Sequence, residues 1–158
     1  MRGGVVASVG DVIGPVSEVR AQRTFRATAD QVFAAWLTPA ALERWMFGRA
    51  PGEEIVRLDV DARVGGCFSF LVRREGQDIV HVGEYLELDT PRRLAFTWDV
   101  GKRRADGSRV EIDLTPVGDS VTLTLVHHLP ADAAPYANQT KAGWMRMLGA
   151  LAGVLEGA

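Results

Sequence analysis

The sequence predicts an α+β fold in which an antiparallel sheet curls around one long C-terminal helix. Three observations carry this expectation. Between Gly52 and His128 the apolar residues recur with a period of two along a series of short runs. The connections between those runs are short, which joins antiparallel neighbours, because parallel strands need a crossover of a dozen or more residues. From about residue 134 to 156 the period changes to that of a helix. A twisted sheet of this extent curls, and one helix does not fill its concave side, so an apolar pocket is expected between them.

Residues 1–15 are rich in glycine and small residues without periodicity and read as a flexible tail, leaving one domain over 16–158. Val19 to Phe25 is a short extended segment. Thr28, three residues before Gln31, has the spacing of a capping box, in which side chain and backbone satisfy each other's free polar groups. The helix it starts buries Val32, Phe33, Trp36 and Leu37. Thr38-Pro39 ends that helix and opens a second, with Pro39 at the first helical position and Leu42, Trp45 and Met46 as its apolar residues.

After Gly52, Val56, Leu58 and Val60 alternate with Arg57, Asp59 and Asp61, as in a half-buried strand. Gly65-Gly66 turns the chain into Phe68, Phe70 and Val72, which alternate with Cys67, Ser69 and Arg73 as far as the polar tip Glu75-Gly76-Gln77-Asp78. Further strands are expected over Ile79–Leu88, Leu94–Asp99, Val110–Thr115 and Val121–His128. In the final helix Tyr136, Thr140, Trp144, Met147, Leu148, Leu151 and Leu155 form one stripe. Gly143, Gly149 and Gly153 weaken a helix by roughly 1 kcal/mol each relative to alanine, which is explicable where the backbone closely approaches the sheet or a ligand.

With 47% apolar and 24% charged residues, the chain of 158 residues has the composition of a globular protein and not of a disordered one. Its 18 basic and 20 acidic residues give a formal charge of -2, so no basic surface draws it to nucleic acid. Cys67 is the only cysteine, which excludes an internal disulfide and points to a reducing compartment, the cytoplasm. The opening MRGGVVASVGDVIGPVSE is interrupted by Gly10, Asp11 and Gly14 and makes a poor secretory signal. No run approaches the ~20 apolar residues of a membrane helix, and no membrane association is expected.

Several stretches resemble a known family in order and spacing. They are Phe33-Ala34-Ala35-Trp36 with Thr38-Pro39, Leu42-Glu43-Arg44-Trp45, and Arg63-Val64-Gly65-Gly66. Gly83 to Leu88 follows, leading into Thr90-Pro91-Arg92-Arg93-Leu94, then Phe96-Thr97-Trp98, Leu123-Thr124-Leu125-Val126-His127 and Gly143-Trp144. From about Val19 to Leu155 the chain resembles the activator of heat-shock protein 90 ATPase homology family, within the START-like (SRPBCC) superfamily. The resemblance implies a helix-grip (Bet v-like) fold with an internal cavity, in a superfamily of lipid and hormone binders, aromatic polyketide cyclases and co-chaperone domains. It implies fold more than activity, because one fold hosts many functions.

Large aromatics at a helical or strand period are usually core, and that reading applies to Trp36, Trp45, Trp98 and Trp144. Trp45, on a short helix over the expected cavity mouth, and Trp98, in mid-sheet, are the best placed to line a pocket instead. Phe68, Phe70, Tyr85 and Phe96 join them if the larger apolar set faces inward, and Trp144 and His127 complete the candidate ligand-binding residues. His127 shares parity with Val121, Leu123 and Leu125; it either orients a ligand, acts as acid or base, or is satisfied by a polar neighbour. His128 points the other way and His81 is distant in sequence, so no metal site is expected. Cys67 has outward parity and reads as an inert thiol. Glu84 and Glu111 read as solvated carboxylates, and Lys102, Arg103 and Arg104 with Asp99 and Asp106 as a solvated hairpin tip.

No nucleophile elbow, P-loop or dinucleotide fingerprint is present, so no cofactor is expected. The leading function is binding of a small hydrophobic or aromatic molecule by a carrier or sensor. A cyclase- or hydratase-like enzyme, with His127, Tyr85 or Glu84 moving protons, and a co-chaperone-like interaction module are the alternatives. A homodimer is left open.

Overall fold

A computed structural model describes residues 17–47, 51–102 and 107–157. The expected tail over residues 1–15, and Arg103, Arg104 and Asp106 of the charged loop, lie outside the described residues. The chain runs through β1 (Ser17–Phe25), α1 (Ala29–Ala35), α2 (Pro39–Trp45), β2 (Glu53–Val60), β3 (Cys67–Arg74), β4 (Gln77–Asp89), β5 (Arg93–Val100), β6 (Ser108–Val117) and β7 (Ser120–Leu129). A 3₁₀ turn (Ala131–Tyr136) then leads into α3 (Ala137–Glu156). The strands form one seven-stranded antiparallel sheet in the order β1-β7-β6-β5-β4-β3-β2, with α3 packed against β1 and α2. This is the helix-grip arrangement expected from the sequence.

Local rules account for most elements. The capping box is present: the Gln31 N–H donates to Thr28 Oγ1 at 3.1 Å and the Thr28 N–H donates to Gln31 Oε1 at 2.9 Å. Thr38 does not cap α2 with its side chain; its hydroxyl donates instead to the Ala34 carbonyl at 2.8 Å, satisfying the end of α1. The β3–β4 tip places Glu75 and Gly76 at φ 51° and 82°, the paired positive values of a tight hairpin turn, and glycine meets that demand without strain. Gly83 answers a different constraint. A Cβ there would lie 2.0 Å from the Thr97 carbonyl oxygen and 2.3 Å from Phe68 Cζ, so the close approach of β4 to its neighbours excludes any side chain. Register shifts at Ile55/Arg57 and at Tyr85/Glu87 add twist and help the sheet curl.

The first of those bulges overturns one expectation. Because an extra residue intervenes, Ile55, Leu58 and Val60 face the core and Val56 is 42% exposed. Tyr136 also leaves the expected stripe and is 58% exposed, because it ends the 3₁₀ turn, whose three residues per turn do not continue the angular phase of α3. Trp144, Leu148 and Leu151 are buried on that stripe, with Met147 and Leu155 partly so. The glycines of α3 do not mark close backbone packing: a Cβ at Gly143 or Gly153 would meet nothing within 4 Å, and at Gly149 only Arg23 at 4.0 Å.

The outer face corrects two further readings. Glu111 is not simply solvated: it lies 3.0 Å from Arg109, 3.5 Å from Arg93 and 3.1 Å from His128 Nε2 across adjacent strands. Burial alone would raise its pKa, but His128 and Arg109 outweigh that and hold it below the usual carboxylate range. Asp99 is buried and not part of a solvated tip, because β5 continues to Val100 and pairs Asp99 with Val82 inside the sheet. Glu84 is half-buried, and Cys67 is exposed as its parity predicts.

Candidate functional site

The inward faces of β3, β4 and β5 deliver Phe68, Phe70, Tyr85, Phe96 and Trp98 to one aromatic cluster, which Trp144 joins from α3. Phe68 lies 4.7 Å from Phe70, 5.5 Å from Tyr85 and 5.6 Å from Phe96 between ring centres, and Trp98 lies 5.5 Å from Trp144. Strand alternation put these side chains on one face, and the structure brings them together. The interior cavity expected between sheet and helix is nearly filled by them. The space bounded by Trp36, Phe68, Tyr85, Phe96 and Trp98 is about 10 Å³, the size of a single water.

Trp45 does not stand at a cavity mouth. It is fully buried, edge-on to Trp36 at 4.6 Å, and its indole N–H donates to the Ala35 carbonyl at 3.0 Å. The helix pair folds it inward because α2 packs back against α3, making Trp45 a core residue.

The open space lies at the other end of the cluster, on either side of Trp98. One groove of about 260 Å³ is bordered by Phe47, Arg74, His81, Trp98, Gly143 and Trp144. A second, of about 270 Å³, is bordered by Trp98, Asp99, Ser108, His127, Pro130 and Ala133. Trp98 and Thr140 belong to both grooves, and Trp98 also walls the inner chamber. It is the one tryptophan of the four that is only half-buried. A further depression of about 360 Å³, between β1 and the start of α3, is lined by Arg20, Gln22, Thr124 and Lys141 and has no aromatic wall.

Two buried histidines flank Trp98. The Trp144 indole N–H donates to His127 Nδ1 at 3.0 Å. Indole nitrogen only donates, so Nδ1 must be unprotonated, and neutral His127 carries its hydrogen on Nε2. That Nε2 is buried without a partner. Burial, with a smaller contribution from the neighbouring His128 charge, lowers the His127 pKa from 6.5 to about 4.

His81 received no role from the sequence, yet its ring centre lies 5.1 Å from Trp98 and 4.9 Å from Phe47. Its Nδ1 is buried without a partner, and burial followed by the Arg74 charge lowers its pKa to about 4. Parity would have found it, since His81 shares the inward face of β4 with Gly83 and Tyr85. Phe47, just beyond α2, was also missed; it stacks parallel to Trp98 at 6.5 Å, a contact with no local signature. Among the described residues, no group of three His, Cys, Asp or Glu side chains is placed to hold a metal ion.

A family model for activator of Hsp90 ATPase homolog 1-like protein matches residues 26–156. The chain belongs to this family. Protein CV1439 from Chromobacterium violaceum is 30% identical with a TM-score of 0.76, over 88% of this chain and 96% of that one. The AHSA1 protein SPO3351 from Silicibacter pomeroyi is 25% identical with a TM-score of 0.75, over 89% and 98%. DynU16, from the dynemicin biosynthetic locus, is 24% identical with a TM-score of 0.72 over 90% of this chain but 48% of its own, a likeness that shows the fold alone. No curated protein matches the chain. Among the described residues no helix is long and apolar enough to cross a membrane.

Proposed function

We propose that this chain binds a small apolar or aromatic molecule at the open end of its aromatic cluster, with Trp98 as the surface against which the ligand lies. One observation carries the reading: Trp98 is half-buried and walls both grooves and the inner chamber. Ligand pockets usually enclose about 300–1,000 Å³. Each groove, at about 260 or 270 Å³, falls just short, but they share Trp98 and Thr140, so a ligand that lies across Trp98 uses both. Covering Phe47, Trp98 and Trp144 removes apolar surface from water at about 25 cal/mol per Å².

A carrier or sensor fits these groups better than a cyclase or hydratase. An effective acid or base has a pKa near the working pH. The Tyr85 phenol is raised above its ordinary 10.0, chiefly by burial, and His127 is lowered to about 4 with Nε2 already protonated and Nδ1 held by Trp144. His127 is therefore a hydrogen-bond donor at Nε2 and not a base there.

The test is titration of the native protein with an apolar fluorescent probe, N-phenylnaphthylamine, beside Trp98→Ala. The variant should bind at least about tenfold more weakly, equivalent to ~1.4 kcal/mol. Unchanged affinity in a folded variant would remove Trp98 from the site, and chemical conversion of a bound ligand that is lost on changing His127 would favour the enzyme.

A further inference from the structure

We infer that His127 recognises a neutral ligand oxygen through its Nε2–H, so that the molecule bound beside Trp98 is an uncharged aromatic compound with a carbonyl or ether acceptor, and not a plain hydrocarbon. The inference rests on the binding site proposed above and names the ligand class for it.

The hydrogen-bonding capacity of the groove that His127 borders sets the ligand class. Its two side-chain hydroxyls each have one hydrogen, and both are engaged: Ser108 donates to the Trp98 carbonyl, and Thr140 donates to the Tyr136 carbonyl at 3.0 Å. His127 Nδ1 receives the Trp144 N–H, which leaves the Nε2 hydrogen as a buried donor without an acceptor. Leaving such a group unsatisfied is costly, so a native structure has a reason for it. An acceptor atom on the ligand removes that cost, and an apolar isostere does not. Discrimination of this kind is sharp because it exploits a polar group that the wrong ligand leaves unpaired.

Charge narrows the class further. No lysine or arginine is among the described residues that line this groove. His127 resists protonation, so it does not supply a positive charge to an anion at neutral pH. The remaining walls, Leu129, Pro130 and Ala133, are apolar and suit a hydrocarbon frame.

The experiment compares benzophenone with diphenylmethane, which lacks the acceptor, and with carboxybenzophenone, which adds a negative charge. Affinities are measured by equilibrium dialysis on the wild-type chain and on His127→Phe. The ratio of benzophenone to diphenylmethane affinity should fall about tenfold in the variant, the scale of one buried hydrogen bond. Carboxybenzophenone should bind the wild type more weakly than benzophenone.

Binding of both neutral compounds with an unaltered ratio would reject the hydrogen bond and leave the apolar site standing. Failure of both to bind would reject the site and the inference together. Tighter binding of the anion would overturn the neutral class. If His127→Phe does not fold, nitrogen NMR of histidine-labelled wild-type protein decides. His127 should carry its proton on Nε2, and benzophenone should shift that signal; a proton on Nδ1, or an Nε2 signal unmoved at saturation, would overturn the inference.

Discussion

At the closed end of the aromatic cluster Trp45 is fully enclosed and its N–H is bonded to Ala35, whereas at the open end Trp98 is half-buried between two grooves bordered by His81 and His127, each with one buried ring nitrogen that has no partner. Ring density does not separate the two ends, since Trp36–Trp45 and Trp98–Trp144 are 4.6 and 5.5 Å apart. Nor does the state of the polar atoms alone, since Trp36 Nε1 at the closed end is also buried without a partner. What differs is the space beside the unbonded group: Trp36 borders the chamber of about 10 Å³, whereas His127 borders a groove of about 270 Å³. Hydrophobicity thus places the aromatic residues in one cluster, and the open space around Trp98 marks the end at which binding is proposed.

The sharpest way to break this contrast is to delete the closed-end ring. Trp45→Ala should lose about 3–5 kcal/mol of stability in chemical denaturation, the usual cost of removing a buried aromatic. A loss below about 2 kcal/mol would mean that Trp45 is not core as argued.

Next in size is the pH dependence of the open end. His81 and His127 have folded-state pKa values of about 4 against an ordinary 6.5, so the unfolded chain binds more protons between those values. Their neutral state supports the fold fully above 6.5, and stability falls as the pH drops through about 4, by roughly 3 kcal/mol per histidine at the acid limit. Urea denaturation between those values should show a shallower fall in His127→Phe than in the wild type, and equal slopes would contradict the burial argument.

Trp98→Ala should cost under about 2 kcal/mol, less than Trp45→Ala, because solvent already reaches part of the ring. An equal cost at both positions would erase the distinction between the two ends.

The smallest effect is at Gly143, which borders the groove with His81 and whose added Cβ would meet nothing within 4 Å. Gly143→Ala should stabilise α3 by up to about 1 kcal/mol while weakening the apolar probe, since the new methyl group projects into the groove. A gain in stability with no loss of binding would place the ligand elsewhere.

Much of the architecture was legible because it depends on near neighbours in the chain. The Thr28–Gln31 box, the Glu75–Gly76 turn and the inward parity of Phe68, Phe70 and Val72 follow from backbone geometry over two to four residues. The proposed ligand-lining set was legible as a face but not as a site. Alternation placed Phe96, Trp98 and His127 inward without saying which of them water reaches.

The residues misread share a cause. Val56 depended on a bulge set by pairing with β3, Tyr136 on the phase of a 3₁₀ turn, and Glu111 on arginines and a histidine brought in by neighbouring strands. Each is a relation between separate segments that no local period encodes.

The sequence by itself determined the order of elements, the curled antiparallel sheet, the final helix and the side chains that face it, because turn chemistry and periodicity act within a few residues. Only the tertiary structure decided that the interior is filled, that Trp45 closes one end, and that the free space lies around Trp98. Cavity volume is the small difference between the space a sheet and helix enclose and the volume of the side chains that enter it, and it depends on how Phe47, Trp98 and Trp144 meet from three different elements.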